Sequence, residues 1–281
     1  MQNPATSQAK SDYIPNTLSI AGVDPSGGAG ILADVKTMSA LGAYACAVVA
    51  GLTAQNTQSV TQVLPVDPSF VEQQLKTLFD DVRIDATKIG MLGQAKVIEV
   101  VAQVLHQRQT RNIILDPVMV AKSGDSLLEQ VAVHTLKEAL LPLSLMITPN
   151  LPEAGQLLKQ RAPDNIKEMY VCAEKLHKLF KQTDERWVLL KGGHLSGNET
   201  MDLLFNGDQM LEYPGQRLHT KNTHGTGCTY SSAICALLPR AATVPEAVQK
   251  AKHYVHEAIT QADRLQVGHG HGPLQHFWQW W

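Results

Sequence analysis

Asn222-Thr223-His224-Gly225-Thr226-Gly227-Cys228 is the segment of this chain with the densest chemistry. Its two glycines at i and i+2 let successive backbone N–H groups converge on one point, and a helical pattern begins directly after them. A helix N-terminus adds positive potential, so the segment reads as an anion hole. A cysteine at such a helix start is expected to have a depressed pKa. Phosphate binding beside an activatable thiol fits these residues. The plainer reading is a glycine-rich helix start with a buried cysteine.

Four more segments follow predicted strands. Asp116-Pro117 ends one, and Thr148-Pro149-Asn150-Leu151-Pro152-Glu153 ends the next. Carboxylates at adjacent strand ends can share Mg²⁺ through water, although either alone serves equally as a turn or helix cap. Beside an anion hole they suggest a Mg–nucleotide site. Lys191-Gly192-Gly193-His194 places a cation where a polyphosphate could lie, or a solvated loop charge. Gln55-Asn56-Thr57 sets an amide that suits a planar heterocycle with donors and acceptors, or an Asx-type turn.

The Asp24–Gly30 loop contains Gly28-x-Gly30-x-x-Ala33, formally a dinucleotide fingerprint. That fingerprint needs an acid about 20 positions on for the ribose. After Asp34 the next acid is Asp67, so the window is empty and a substrate-side loop is the better reading. No G-x-x-x-x-G-K-[ST] occurs, which excludes a Walker P-loop enzyme. The tail carries His269, His271, His276, Phe277, Trp278, Trp280 and Trp281 without zinc-site spacing, and reads as a packed or exposed aromatic terminus.

Alternating β and α patterns must position these loops. Strands are expected at Thr17–Gly22, Ala43–Ala54, Val60–Val66, Thr87–Met91, Asn112–Asp116, Leu143–Thr148 and Trp187–Lys191. Helical periodicity predicts helices over Gly30–Leu41, Pro68–Val82, Ala95–Gln107, Ser126–Leu141, from Leu151, Ile166–Lys181, Gly227–Leu238 and Val244–Arg264. Thr200–Phe205 and Gln209–Tyr213 flank Asn206-Gly207 and read as a hairpin. Repeated βα units imply a mostly parallel sheet with helices on both faces and ligands beyond the carboxyl ends of the strands.

The chain has 281 residues, 44% hydrophobic and 18% charged, with a net charge of −2. This is the composition of a globular protein, with no basic field for nucleic acid or an anionic membrane. Its longest apolar stretch, Ala43–Ala54, falls short of a bilayer span and is broken by Tyr44, Gly51 and Thr53. The N-terminus lacks the apolar core of a secretory signal. Cys46, Cys172, Cys228 and Cys235 show no C-x-x-C spacing, which fits free thiols in a reducing cytoplasm. Residues 1–15 read as a flexible extension and 16–281 as one domain.

The ordered motifs carry a further likeness. Ser19-Ile20-Ala21-Gly22-Val23-Asp24-Pro25-Ser26-Gly27-Gly28-Ala29-Gly30-Ile31, Ala54-Gln55-Asn56-Thr57, Lys88-Ile89-Gly90-Met91-Leu92, Asp116-Pro117-Val118-Met119, the 148–154 segment, Lys191–His194 and Asn222–Cys228 closely resemble the bacterial hydroxymethylpyrimidine/phosphomethylpyrimidine kinases of thiamine synthesis. The likeness runs from about Asn16 to the Trp-rich end.

The resemblance implies a ribokinase-like α/β fold: a central, mostly parallel sheet flanked by helices on both faces, with a small β flap. It implies two phosphoryl transfers from Mg-ATP, first to 4-amino-5-hydroxymethyl-2-methylpyrimidine and then to its monophosphate. By the family pattern Gln55 recognises the pyrimidine, with Gly22, Asp34, Met91 and Val118 lining its pocket. Gly225, Gly227 and Cys228 match the catalytic anion hole, with Thr226 between them. Asp116, Asn150 and Glu153 match metal and phosphate organisation, the two carboxylates acting through water, and Lys191 falls on the nucleotide side. Sugar kinases of this fold usually carry Asp where this chain has Cys228, whereas the pyrimidine-kinase branch shares the Cys. A homodimer is common among such relatives. Lys122-Ser123-Gly124-Asp125 is a candidate closing loop for the second transfer. A pyridoxal or pyridoxine kinase of the same fold is the alternative enzyme. A nicotinamide oxidoreductase and a non-catalytic pyrimidine-binding regulator are the other classes, disfavoured respectively by the missing ribose acid and by the intact Gly225–Cys228 motif.

Overall fold

Trp187 and Leu189 face one side of the sheet and Val188 and Leu190 the other, and all four are buried. Period-two alternation that is apolar on both faces is the signature of a strand covered by helices on both sides. The same holds for the neighbouring strands: Ile113 and Leu115 join one core cluster, and Ile114 joins the other.

The computed structural model describes residues 13–119, 130–181 and 185–281. Nine strands form one sheet: β1 (Asn16–Val23), β2 (Tyr44–Gln55), β3 (Val60–Pro65), β4 (Ala86–Ile89), β5 (Ile113–Leu115), β6 (Met146–Ile147), β7 (Trp187–Leu190), β8 (Glu199–Phe205) and β9 (Met210–Gln216). Their spatial order is β3-β2-β1-β4-β5-β6-β7-β8-β9. The pairings from β2 across to β7 are parallel, and β3, β8 and β9 add antiparallel edges. The helices are α1 (Gly30–Ala40), α2 (Pro68–Asp81), α3 (Ala95–Gln107), α4 (Gln130–Thr135), α5 (Leu151–Leu158), α6 (Ile166–His177), α7 (Thr226–Leu237) and α8 (Val244–Thr260). Residues of α2, α3, α5 and α6 build one core cluster, and α1, α7 and α8 the other.

Most elements fall where the hydrophobic period puts them, and the differences have local causes. The expected Ser126–Leu141 helix is described only from 130, and after Thr135 it widens into a π turn at Leu136–Leu140 and tightens into a 3₁₀ turn at Leu141–Leu143. Pro142, without an N–H, cannot continue an α-helix. Asn206 and Gly207 lie in a four-residue loop rather than a two-residue turn. The Asn206 side chain accepts from the N–H groups of Asp208 and Gln209, and Gly207 takes φ +102°. The extension is tied down in its last residues: the Tyr13 hydroxyl donates to Asp85, and the carbonyl of buried Pro15 accepts from Tyr44 N–H. The Lys122–Asp125 loop lies outside the described residues.

The end of β2 and the exposed strand β3 form the expected flap, and the C-terminal tail holds it. Gly270 N–H donates to Thr57 Oγ1, and His271 N–H to the Thr57 carbonyl. Beyond that contact Leu274 is fully buried, and Phe277 and Trp278 pack on the α7–α8 core, while Trp280 and Trp281 remain exposed.

Candidate active site

The carboxyl ends of the parallel strands open into a cavity of about 510 Å³. Gly22 comes from β1, Thr53 and Gln55 from β2, Met91 from the segment after β4, Asp116 and Val118 from that after β5, and Glu153 from α5. Gly225, Thr226, Gly227 and Cys228 close one end. A second cavity of about 390 Å³ adjoins it, lined by Thr200, Arg217, Lys252, His256 and Ile259 among others. Asn150, Lys191, Thr226 and Gly227 line both, so the start of α7 stands at their junction.

That helix start lacks a side-chain cap, and its N-cap is Gly225 at φ +77°. A Cβ there would lie 1.8 Å from the Gly28 carbonyl oxygen, so only glycine allows the two loops to approach. Helix N-terminal N–H groups without an internal partner are ready donors to an anion. The Asp24–Gly30 loop behaves oppositely. Asp24 accepts from Ser26 N–H, Ser26 Oγ and Ala29 N–H, at 2.9, 2.7 and 3.0 Å, so the loop spends its donors on its own carboxylate. It shapes the cavity wall and is not a phosphate cradle.

Asp116 is buried and accepts from Lys191 Nζ and Thr148 Oγ1, each at 3.0 Å. Burial alone raises its pKa, but Lys191 and Lys88 outweigh this and hold the carboxyl below the usual range. Asn150 and Glu153 form a reciprocal capping box on α5, so the cap reading of this motif holds. Glu153 nevertheless lines the cavity. Burial pushes its pKa up to about 7, with Asp116 adding to the rise and Lys191 opposing it. Lys191 is deprived of water by burial, yet Asp116 and Glu153 raise its pKa and keep it charged. Among the described residues no group of three or more His, Cys, Asp or Glu converges on a point. Two carboxylates beside an anion hole form too sparse a set for a protein-caged ion. They do fit a Mg²⁺ that arrives on substrate phosphates and keeps several waters.

Two expectations need correction. Asp34 is fully buried and does not line the cavity. Its carboxylate accepts from Ser19 Oγ, Lys88 Nζ and Ser232 Oγ at 2.6 to 2.9 Å, forming a salt-bridged network beneath the floor. The residue of that network that reaches the cavity is Lys88. Cys228 is likewise no standing thiolate. The residue lines the cavity and is partly buried. Burial pushes the thiol up to about 11, since Lys88 pulls it down less than burial, Asp34 and Asp116 push it up.

A family model for phosphomethylpyrimidine kinase matches residues 24–275. The hydroxymethylpyrimidine/phosphomethylpyrimidine kinase of Escherichia coli K12 is 50% identical over 266 residues, covering 95% of this chain and 98% of that protein. The chain belongs to the phosphomethylpyrimidine kinase family. The family's ribokinase-like architecture is borne out in solved structures. Bacillus subtilis pyridoxal kinase in an ADP complex has a TM-score of 0.85 at 34% identity, covering 94% of this chain and 98% of that one. Staphylococcus aureus pyridoxal kinase with AMP-PCP and pyridoxal has a TM-score of 0.85 at 29% identity, covering 95% of each chain. Clostridium difficile phosphomethylpyrimidine kinase has a TM-score of 0.76 at 37% identity, covering 87% of this chain and 99% of that one.

Within this phosphomethylpyrimidine kinase fold, Gly22, Gln55, Met91 and Val118 all line the cavity. Met91 packs over Gly22 so closely that a Cβ there would lie 2.4 Å from Met91 Cε. Sequence reasoning gave no role to Asp24, Thr53, Lys88 or His224, yet all four line the cavity. For His224 and Lys88 the signal was present, since both sit inside motifs singled out for their neighbours. Thr53 stood two residues before Gln55 on the same strand face.

Proposed function

We propose that this chain transfers the γ-phosphoryl group of Mg-ATP to 4-amino-5-hydroxymethyl-2-methylpyrimidine, and then a second one to the resulting monophosphate. The observation that carries this reading is the uncapped start of α7 at the junction of two cavities. Its amides face both a lobe with a heterocycle-sized apolar wall and a lobe with room for a nucleotide.

Phosphoryl transfer is chiefly positioning and charge neutralisation. In this arrangement Gln55 holds the edge of the pyrimidine while Gly22, Met91 and Val118 sandwich its faces. The amides of Gly225, Thr226, Gly227 and Cys228 receive the transferring group as its charge shifts toward the leaving oxygen. Lys191, held by Asp116 and beside Gly227, offsets charge on the phosphates, with Asn150 fixing the loop on the nucleotide side. When bound, Mg²⁺ neutralises phosphate oxygens, and Asp116 and Glu153 are the carboxylates that would hold it through water. Cys228 positions the attacking hydroxyl, and its deprotonated form takes that proton late, as electron density leaves the acceptor oxygen.

A second reading, pyridoxal as acceptor, is favoured by the fit to the two pyridoxal kinase structures. Steady-state kcat/KM for the hydroxymethylpyrimidine and for pyridoxal, each with Mg-ATP, separates the two. The first is expected to exceed the second, and a reversed order makes this a pyridoxal kinase. Further parts of the proposal are a cytoplasmic location, supported by four free cysteines, and a single domain from residue 16 to the end. No helix among the described residues is long and apolar enough to cross a membrane. A homodimer is also proposed, supported by exposed Leu52, Val63, Leu64 and Phe70 on and beside the β3 edge. Light scattering tests it, and a monomeric mass at assay concentration contradicts it.

A further inference from the structure

Gln55 ends β2 with its amide between two polar neighbours. As placed, Gln55 Oε1 lies 3.2 Å from Thr53 Oγ1 and Gln55 Nε2 lies 3.4 Å from His224 Nε2, and the hydrogens of the two neighbours require the amide to be turned over. An amide's oxygen and nitrogen fill nearly the same volume, so the hydrogens of the neighbours decide which is which.

Both neighbours have their hydrogens committed. His224 Nε2 lies 2.7 Å from Asp24 Oδ2. Burial raises the Asp24 pKa, but hydrogen bonds from His224 and Ser26 more than cancel this and hold it below the usual range. Asp24 is therefore a carboxylate that only accepts, and Nε2 must carry a hydrogen. A Gln55 nitrogen facing it would set donor against donor, whereas an oxygen there accepts the outer branch of a three-centre bond. On the other side Thr53 has one hydroxyl hydrogen, and the Val23 carbonyl at 2.9 Å takes it. Thr53 Oγ1 is left with lone pairs and no hydrogen, so the group facing it must be the Gln55 NH₂. Both ends demand the same orientation.

We propose that Thr53 and the Asp24–His224 pair are positioning residues that lock the Gln55 amide with its oxygen toward His224 and its nitrogen toward Thr53, and so choose an amino over an oxo group on the substrate ring. This inference rests on the proposed role of Gln55 against the pyrimidine edge. After the internal bonds, Gln55 has one lone pair free on the His224 side and one N–H free on the Thr53 side. His224 directly precedes Gly225, so its side is the phosphoryl side. On the substrate the 4-amino group neighbours the carbon bearing the hydroxymethyl, which must point at Cys228. The amine therefore meets the Gln55 oxygen, and ring N3 meets its N–H. A 4-oxo ring presents the reverse order, C=O then N3–H, and would leave like groups facing each other across a half-buried wall.

The test measures dissociation constants, by isothermal titration, for the hydroxymethylpyrimidine and for 5-hydroxymethyl-2-methylpyrimidin-4-one. The proteins are the parent, Thr53→Val, Thr53→Ser and Gln55→Leu. Removing one lock should let the amide turn, so Thr53→Val is expected to lower the amino-over-oxo ratio by about tenfold, the scale of one buried hydrogen bond. Thr53→Ser keeps the hydroxyl and should stay within about threefold of the parent ratio. An ATP KM near the parent value shows that the Val variant is folded, and a structural role alone would move both ligands together. The lock is overturned if Thr53→Val keeps the parent ratio while Gln55→Leu weakens binding of the amino ligand. If Gln55→Leu leaves that ligand's affinity unchanged, the role of Gln55 fails first, and the lock with it.

Discussion

Cys228 shows how opposing effects at a single residue are weighed by magnitude. A helix start and a nearby lysine both favour a thiolate, but burial together with Asp34 and Asp116 puts the pKa at about 11. Proton acceptance by Cys228 then requires kcat/KM for the pyrimidine to go on climbing with pH toward about 11, since the deprotonated form is the competent one. Cys228→Asp places an ionised carboxylate there, and the climb should flatten above about pH 6. Cys228→Ala should cut turnover by about 100-fold or more while the ATP KM stays within about threefold, because the backbone donors survive. Near-normal turnover in the Ala variant would remove Cys228 from the reaction.

Glu153 gives a second pH signature. Its folded pKa, about 7, lies above the ordinary value of 4.5. Stability from its neutral form is complete below the ordinary value and is lost as pH rises through the folded one. Glu153→Gln keeps the capping geometry and removes the ionisation. The parent should therefore lose melting temperature relative to this variant between about pH 5 and pH 8. If Glu153 helps to hold Mg²⁺, apparent Mg²⁺ affinity should strengthen over the same rise in the parent and stay flat in the variant. Metal dependence that is identical in both leaves Glu153 as a helix cap alone. Gln55→Leu carries the recognition claim, with an expected loss of about 1.5–3 kcal/mol in kcat/KM for the pyrimidine and little change in the ATP KM.

The residue types were legible where the motif forces a backbone shape, as at Gly225 with its φ of +77°. They were not legible where a side chain can point either way. Asp34 looked like a pocket residue because its motif surrounds the pocket. It sits on α1 and turns inward to Lys88, a direction no spacing rule encodes.

Among the elements, β strands were readable from buried apolar runs and helices from their period. Their ends were harder to place, because a strand stops where its pairing partner stops, and pairing is not written in the strand's own residues. Gly90 and Met91 continue the apolar run of β4 but lie past its last paired residue, and Met91 reaches the cavity. The C-terminal tail was the least legible element, since aromatic composition alone does not say what it covers. It proves to be a clamp. Gln275 N–H donates to the Ala258 carbonyl, Tyr254 OH donates to the His276 carbonyl at 2.5 Å, and Leu274 is fully buried beneath. His276 is pushed down to about 3, by burial and then by Lys36, and stays neutral at working pH. Leu274→Ala should cost about 2–4 kcal/mol, seen as a lowered denaturant midpoint. A midpoint within error of the parent means that the tail is merely laid on the surface.

At the scale of the whole molecule, the parallel sheet places the candidate side chains other than Asp34 at one end, and α7 stands where two cavities meet there. The general reaction class followed from this arrangement and from the motifs together. Net charge and composition only removed nucleic-acid and membrane readings. The second phosphorylation asks most of the site, because a charged monophosphate must occupy the lobe that first held an alcohol. Incubating the enzyme with Mg-ATP and 4-amino-5-hydroxymethyl-2-methylpyrimidine, and resolving the products by anion exchange over time, tests the account most directly. Monophosphate should appear first and then decline as diphosphate accumulates. Absence of both products, with ATP unconsumed, would contradict the account, and accumulation of monophosphate alone would contradict the second transfer.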